Sequence, residues 1–408
     1  MDVTRSILRA ILPAGTAPGV SQVRDRLGAR CEDMRCAHDR HAEARWGLDL
    51  SVDDHVYHVA MVPSSGARLD AHLGAKQLDE SVFADAAESD FTLLVETEFG
   101  DDPLHDFHRQ LGIVARAAPD AVVVVDVNAC AVRSMQWLAD VTASETPPNP
   151  RYLYTVHYVF DDHAVWAHTH GLRRCGSIEL EMLDLPKGCA EALNPLVCAV
   201  AAMWIEQGPP ESGELFEAGK DLPLAWLPWR DAIAKKSPKG PGGMEDRDDI
   251  HGVPAGVLMV PKESWTGRKM VCPSSLVPTL ERNPMLYVSN METARMALLA
   301  AEKLPRFARL FAELGHEEGW RFLVKLGYPV DGARGDDERE HLWFDVHALE
   351  GDSVDATLLN QPYYIDRMHE GQRAKHPLEK LSDWAILSPH GRFGPDSVHA
   401  LDRRDADA

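Results

Sequence analysis

Trp166-Ala-His-Thr-His-Gly-Leu-Arg-Arg-Cys-Gly-Ser-Ile-Glu-Leu-Glu181 places two histidines and two glutamates on either side of a short turn, each pair two residues apart. Side chains two apart along an extended strand share a face. His168 and His170 therefore share one face, and Glu179 and Glu181 share one face of the next strand. Pairing the strands across the loop from Gly171 to Gly176 sets His170 opposite Ser177 and His168 opposite Glu179. Four ionisable groups then converge on a hairpin with otherwise apolar flanks.

Outward from the hairpin the chain keeps alternating between strands and helices. Upstream, residues 1–45 read as one or two helices with the cluster Arg24, Arg26, Arg30 and Arg35. Strands follow from His55 to Val62 and from Phe91 to Phe99. Pro103 opens a helix through Val114 that carries His105 and His108, and Ala121 to Val127 is an apolar run of the buried-strand kind. Ser134 suits the N-cap of a helix through Val141. Thr146-Pro-Pro-Asn-Pro150 then breaks the chain before strands from Tyr152 to Phe160 and Ala164 to His170, joined by a turn at Asp161-Asp162. Downstream, Glu179 to Leu185 is a strand, Ala190 to Glu206 a helix, 235–245 a flexible loop, and Val257 to Val260 a short strand.

A second unit begins near residue 285, with a helix from Met291 capped by Asn290 and Pro305 in the first turn of the next. Short strands from Phe322, His341, Asp352 and Leu378 complete it, and the tail after Gly394 reads as frayed. The expected fold class is α+β: an N-terminal α/β-type mixed sheet with helices, then a small curled-sheet or barrel-like α+β domain. The domains are expected at 1–284, with an internal break near 145–150, and at 285–394, with a frayed tail at 395–408.

The chain has 408 residues, enough for more than one core. Its 64 acidic and 42 basic residues give a net charge of −22, which disfavours nucleic-acid backbone and favours a basic protein partner, by steering that salt would weaken. No run of eighteen apolar residues and no clear signal peptide is present, so neither membrane insertion nor export is expected. Seven cysteines, odd in number and irregularly spaced, point to reduced thiols in a cytoplasm. Cys31 and Cys36 lack the second pair that a zinc finger needs. Phosphate-loop, dinucleotide, GxSxG and HExxH motifs are absent, which argues against the common NTPase, dehydrogenase, esterase and zinc-protease classes.

Tyr152-Leu-Tyr-Thr-Val-His157, Trp166-Ala-His-Thr-His-Gly-Leu172, Arg174-Cys-Gly176, Glu179-Leu-Glu181, Asp246-Arg247 with His251, Asn283-Pro284 and Glu292-Thr-Ala-Arg-Met296 resemble bacterial domain-of-unknown-function family 4026, over about residues 1–300. Glu340-His-Leu-Trp343, Gly351-Asp352, Leu359-Asn-Gln-Pro362, Gly371 and Ser382-Asp-Trp384 resemble domain-of-unknown-function family 2314, over about 285–400. The resemblance implies a bacterial, cytoplasmic, two-domain protein and carries over no catalytic residue. Such domains also look like components found near toxin–immunity and contact-dependent competition loci.

His168, His170 and Glu179 form the best candidate trio for a divalent metal such as zinc, with Glu181 behind them. A buried His–Glu network that sets strand register answers the same pattern. Arg173 and Arg174 lie in the turn, placed to hold an anion or simply to pair locally. Cys175 lies beside the histidines, without a further sign of a nucleophile. Asp246, Arg247 and His251 form a second candidate group, which reads equally as a solvated loop. Trp343, Tyr363, Tyr364 and Trp384 are a candidate partner surface, or caps on a local core. Two functional classes stay open: a non-catalytic protein-binding factor of immunity or accessory type, and a metal-dependent enzyme or metal-binding module centred on the hairpin.

Overall fold

Ser6–Ile11 forms β1, a strand inside a seven-stranded sheet, in the computed structural model of the chain. The structure describes residues 4–28, 33–37, 41–52, 55–64, 69, 74–248, 250–264, 267–282, 290–335 and 338–401. Arg30, Cys31, the side chain of Cys36, Asp249 and Asn283-Pro284 lie outside the described residues. The helical reading of 1–45 is therefore corrected at its start, and only Val20–Leu27 is helical there among the described residues. Leu, Arg and Ala favour helix in isolation. Here β1 is hydrogen-bonded on both sides and buries Leu8, Ala10 and Ile11, and that tertiary gain overrides local preference.

The other strands of this sheet are β2 (Asp33–Ala37), β3 (Trp46–Val52), β4 (His55–Pro63), β5 (Phe91–Thr97), β6 (Val123–Asp126) and β7 (Ala131–Ser134). Their order is β2-β3-β4-β5-β1-β6-β7, and every pairing is antiparallel. The expected α/β character is thus absent from this sheet. The helix Pro103–Ala117 starts where Asp102 accepts from the amide of His105, and the amide of Trp137 donates to Ser134 as its N-cap position predicts.

A second sheet holds β8 (Thr155–Phe160), β9 (Val165–His170), β10 (Glu179–Leu185), β11 (Phe216–Glu217), β12 (Pro223–Pro228) and β13 (Ala255–Ser264), with β14 (Gly267–Val271) paired to β13. The order is β11-β12-β13-β10-β9-β8, and β10 with β13 is its parallel pair. One continuous apolar core, including Leu8, Phe107, Leu153, Leu180 and Trp204, serves both sheets. The helix Ala190–Gln207 is long and apolar enough to cross a membrane, and it sends Leu193, Leu196, Val197, Val200 and Trp204 into this core.

The chain divides into two units: Met1–Thr142 with Pro148–Val288, and Ala143–Pro147 with Ser289–Ala408. In the second, Ser144 and Thr146 donate to Glu302 on the helix Asn290–Glu302, which explains why that short segment belongs there. Its sheet runs β18 (Arg373–Pro377), β17 (Ser353–Leu358), β16 (Arg339–Glu350), β15 (Arg321–Pro329), β19 (Leu381–Ser388) and β20 (Gly391–Phe393). It is open at β18 and β20 and does not close into a barrel. Leu342, Phe344 and Val346 face the core as their alternation predicts, packed with Phe307 and Trp384. Residues expected to fray after Gly394 are ordered through Leu401: Val398 and Leu401 are buried, and Asp396 holds Arg295. The chain is α+β throughout.

Candidate functional site

β8 and β9 are joined by a tight turn in which Asp161 accepts from the amides of His163 and Ala164. That turn pairs Phe160 with Val165, so every residue further along is set: His157 stands opposite His168 and Thr155 opposite His170. The side-chain period of two then brings His157, His168 and His170 to one face. Their candidate ligand nitrogens all lie within 4.8 Å of one another. Nε2 of His168 and Nε2 of His170 are 3.1 Å apart. Two nitrogens on one tetrahedral zinc are about 3.3 Å apart, so this pair already has metal-ligand spacing.

The rings are sheltered. His168 is 4% and His170 7% exposed, and the indole of Trp166 lies 4.1 Å from the His168 ring centroid. Burial, then the neighbouring histidines, pushes His168 down to about 2 and His170 down to about 3. Both imidazoles are neutral at ordinary pH, the form that binds metal. Nδ1 of His168 is buried without a hydrogen-bond partner.

The glutamates are placed differently from expectation. His168 pairs with Glu181, not Glu179, because Leu172–Cys175 forms a helical turn and Ser177 and Ile178 precede the ladder. Glu179 folds into that turn, accepting from Thr169 Oγ1 at 2.7 Å and from the amides of Gly171, Leu172 and Arg173. Its full burial pushes the carboxyl upward, opposed by those hydrogen bonds. Glu179 thus closes the turn and leaves the trio, and its place is taken by His157. Gly171 is required here: its φ is +118°, and a Cβ would run into the carbonyl of Leu153.

Glu181 is engaged by Arg247 through both guanidinium nitrogens, at 2.5 and 2.9 Å, with both side chains buried. Arg247 also donates to the carbonyls of Gly242 and His251 and lies against the rings of Trp166 and Trp229. Asp246 accepts from the amides of Gly242 and Gly243. The segment expected to be a flexible loop is therefore pinned to the sheet; a Cβ at Gly242 would meet Leu183 and Trp166 below 3 Å. It delivers His251 to the histidine cluster, with ring centroids 4.9 Å from His168 and 5.3 Å from His170. Arg247 and His251 lie at the histidine cluster, whereas Asp246 is exposed and caps the turn at Gly242 and Gly243.

Arg174 does not line an exposed turn. It is buried and forked onto Asp126 at 2.9 and 2.8 Å, and donates to Ser6 and to the carbonyl of Leu153, tying the two sheets together. Arg173 is half-buried and contributes its backbone amide to Glu179. Burial pushes the Cys175 thiol up to about 12, which suits no nucleophile. In the second unit Trp384 is fully buried and donates to the carbonyl of Ala300, so it leaves the partner surface. Tyr363 and Tyr364 are 81% and 61% exposed, with Glu340 accepting from both backbone amides. Trp343 is half-buried between Lys325 and Arg392.

His157 is the residue that the sequence reading did not place beside His168 and His170. The turn at Asp161-Asp162 held the signal, since a tight reversal there forces 157 opposite 168.

The first sheet matches the protein of unknown function (DUF4026) N-terminal model over residues 6–148, and the sheet bearing the histidines matches the DUF4026 C-terminal model over residues 156–259. The chain belongs to the DUF4026 family. In this DUF4026 protein, residues 313–406 match a further model, an uncharacterized protein conserved in bacteria (DUF2314). No curated protein and no solved structure matches the chain.

Proposed function

We propose that this chain is a transition-metal-binding protein whose site is built on the second sheet from His157, His168 and His170. The observation that carries the reading is the convergence of their ligand nitrogens within 4.8 Å on adjacent strands. Ligands held by paired strands are positioned before the ion arrives, which lowers the cost of binding. Three imidazoles suit zinc, copper or nickel better than magnesium or calcium, which take oxygen ligands.

The test is metal analysis of purified protein after zinc loading and removal of excess. One equivalent of metal is expected in the wild type and none in His168→Ala/His170→Ala, with circular dichroism showing that the variant is folded. A wild type that retains no metal would overturn the reading.

A second reading, the non-catalytic factor that binds a basic partner protein, draws support from Tyr363 and Tyr364. They are adjacent, exposed and fixed by Glu340, in a chain of net charge −22. Aromatic anchors of this kind are favoured at interfaces. Co-purification at low and high salt tests it, and an interaction indifferent to salt would remove the role of the charge.

A further inference from the structure

His251 lies on the connection between the helix Trp229–Lys235 and β13, not on the strands that carry the other three histidines. Three features nevertheless aim it at them. Arg247 is locked to Glu181, the cross-strand partner of His168, and donates to the carbonyl of His251. Asp248 accepts from the backbone amide of His251 at 2.8 Å and engages its Nδ1 at 2.8 Å, which commits Nε2 as the nitrogen available to an ion. A carboxylate behind a ligating imidazole is the usual outer partner in histidine–metal sites, fixing tautomer and ring orientation. Finally, the ring of His251 packs edge-on against His168, at 89° between planes.

Five of the six ring pairs have the spacing of a common centre; the ligand nitrogens already convergent are those of His157, His168 and His170, and His251 would join them by closing onto the ion. Imidazole rings around one tetrahedral ion with metal–nitrogen bonds of 2.0–2.1 Å have centroids about 5 Å apart. The observed separations are 5.8 Å for His157–His168, 4.7 Å for His157–His170, 4.8 Å for His168–His170, and 4.9 and 5.3 Å for His251 with His168 and His170.

We infer that His251 is a fourth metal ligand, oriented by Asp248, and that the bound ion fastens the Arg247–His251 connection onto the sheet. The inference rests on the three-histidine reading above and adds coordination number and a conformational consequence. An ion held by four imidazoles keeps no open position, which makes the site a closed one of structural or storage type.

Co2+ and Zn2+ are the probes, used with the full chain. Bound Co2+ gives strong visible absorption in tetrahedral nitrogen sites; the bands shift when one ligand is replaced by water and weaken when further waters raise the coordination number. Wild type is expected to show the tetrahedral spectrum. His251→Ala is expected to bind Zn2+ about 10- to 100-fold more weakly, with an altered Co2+ spectrum, and Asp248→Asn about tenfold more weakly, with the tetrahedral spectrum retained. Zn2+ is expected to slow hydrogen exchange of the backbone amides near Arg247 and His251 in wild type but not in His251→Ala. Unchanged affinity and spectrum in His251→Ala would overturn the fourth ligand while leaving the three-histidine site standing. Absence of Co2+ and Zn2+ binding by the wild type would overturn both.

Discussion

Glu181 stands opposite His168 across β9 and β10, and its carboxylate is held by Arg247 rather than by imidazole. The buried ion pair therefore positions the segment that carries His251, and the histidine face is left without a carboxylate ligand. Glu181→Gln should leave Arg247 buried with a weakened partner and lower stability by about 3 kcal/mol. Urea denaturation followed by tryptophan fluorescence measures this; an unchanged midpoint would mean that the pair contributes nothing.

Glu179 should behave as a turn closure and not as a ligand. Glu179→Ala leaves Thr169 Oγ1 and the amides of Gly171, Leu172 and Arg173 without their acceptor, inside the fold. Each unmet buried donor costs about 1–3 kcal/mol, so the loss is several kcal/mol in total. Metal stoichiometry should survive in the fraction that remains folded. Loss of metal from folded Glu179→Ala protein would return Glu179 to the ligand set.

Arg174 and Asp126 tie the first sheet to the second. Arg174→Met should strand a buried carboxylate and destabilise by about 3–5 kcal/mol, whereas Arg174→Met/Asp126→Leu should recover most of that loss. Denaturation midpoints of the two variants decide the matter. A double variant as unstable as the single one would show that packing and the Ser6 and Leu153 contacts, not charge, dominate.

Asp383 gives the second unit a pH dependence. Burial pushes its carboxyl up to about 6, against the hydrogen bond from the Trp384 amide and the charges of Lys325 and Arg392. A carboxyl whose folded pKa exceeds its unfolded value binds its proton more tightly when folded. Its contribution to stability is thus fully present below about pH 4 and is lost as pH rises through about 6. Asp383→Asn should flatten this slope and raise stability at pH 7.5 by up to about 3 kcal/mol. Equal pH slopes for wild type and variant would refute the assignment.

Much of the architecture was readable from alternation and punctuation. Phe91–Thr97 and Val123–Asp126 are strands, Pro103–Ala117 and Ala190–Gln207 are helices, and Leu342, Phe344 and Val346 face the core, because each pattern is local and repeated. β1 was not readable: six residues of helix-compatible type become a strand only because β5 and β6 lie on either side. Trp384 illustrates the same limit on the second unit. An aromatic near the chain's end looks alike whether it serves a core or a surface, until Ala300 and Phe307 are found around it.

For the candidate site, the amino-acid order alone determined that His168 and His170 share a face, since the period of a strand is intrinsic to its backbone. It also placed a short reversal before them, from which His157 follows. Only the tertiary structure decided which glutamate stands opposite His168, because that register depends on how many residues the helical turn at Leu172–Cys175 consumes. Only it decided that Arg247 and His251, about eighty residues further along the chain, return to the same face. Contacts of such separation are set by packing of the whole unit, by Gly242 on Trp166 and by Arg247 on Glu181, and no local pattern encodes them.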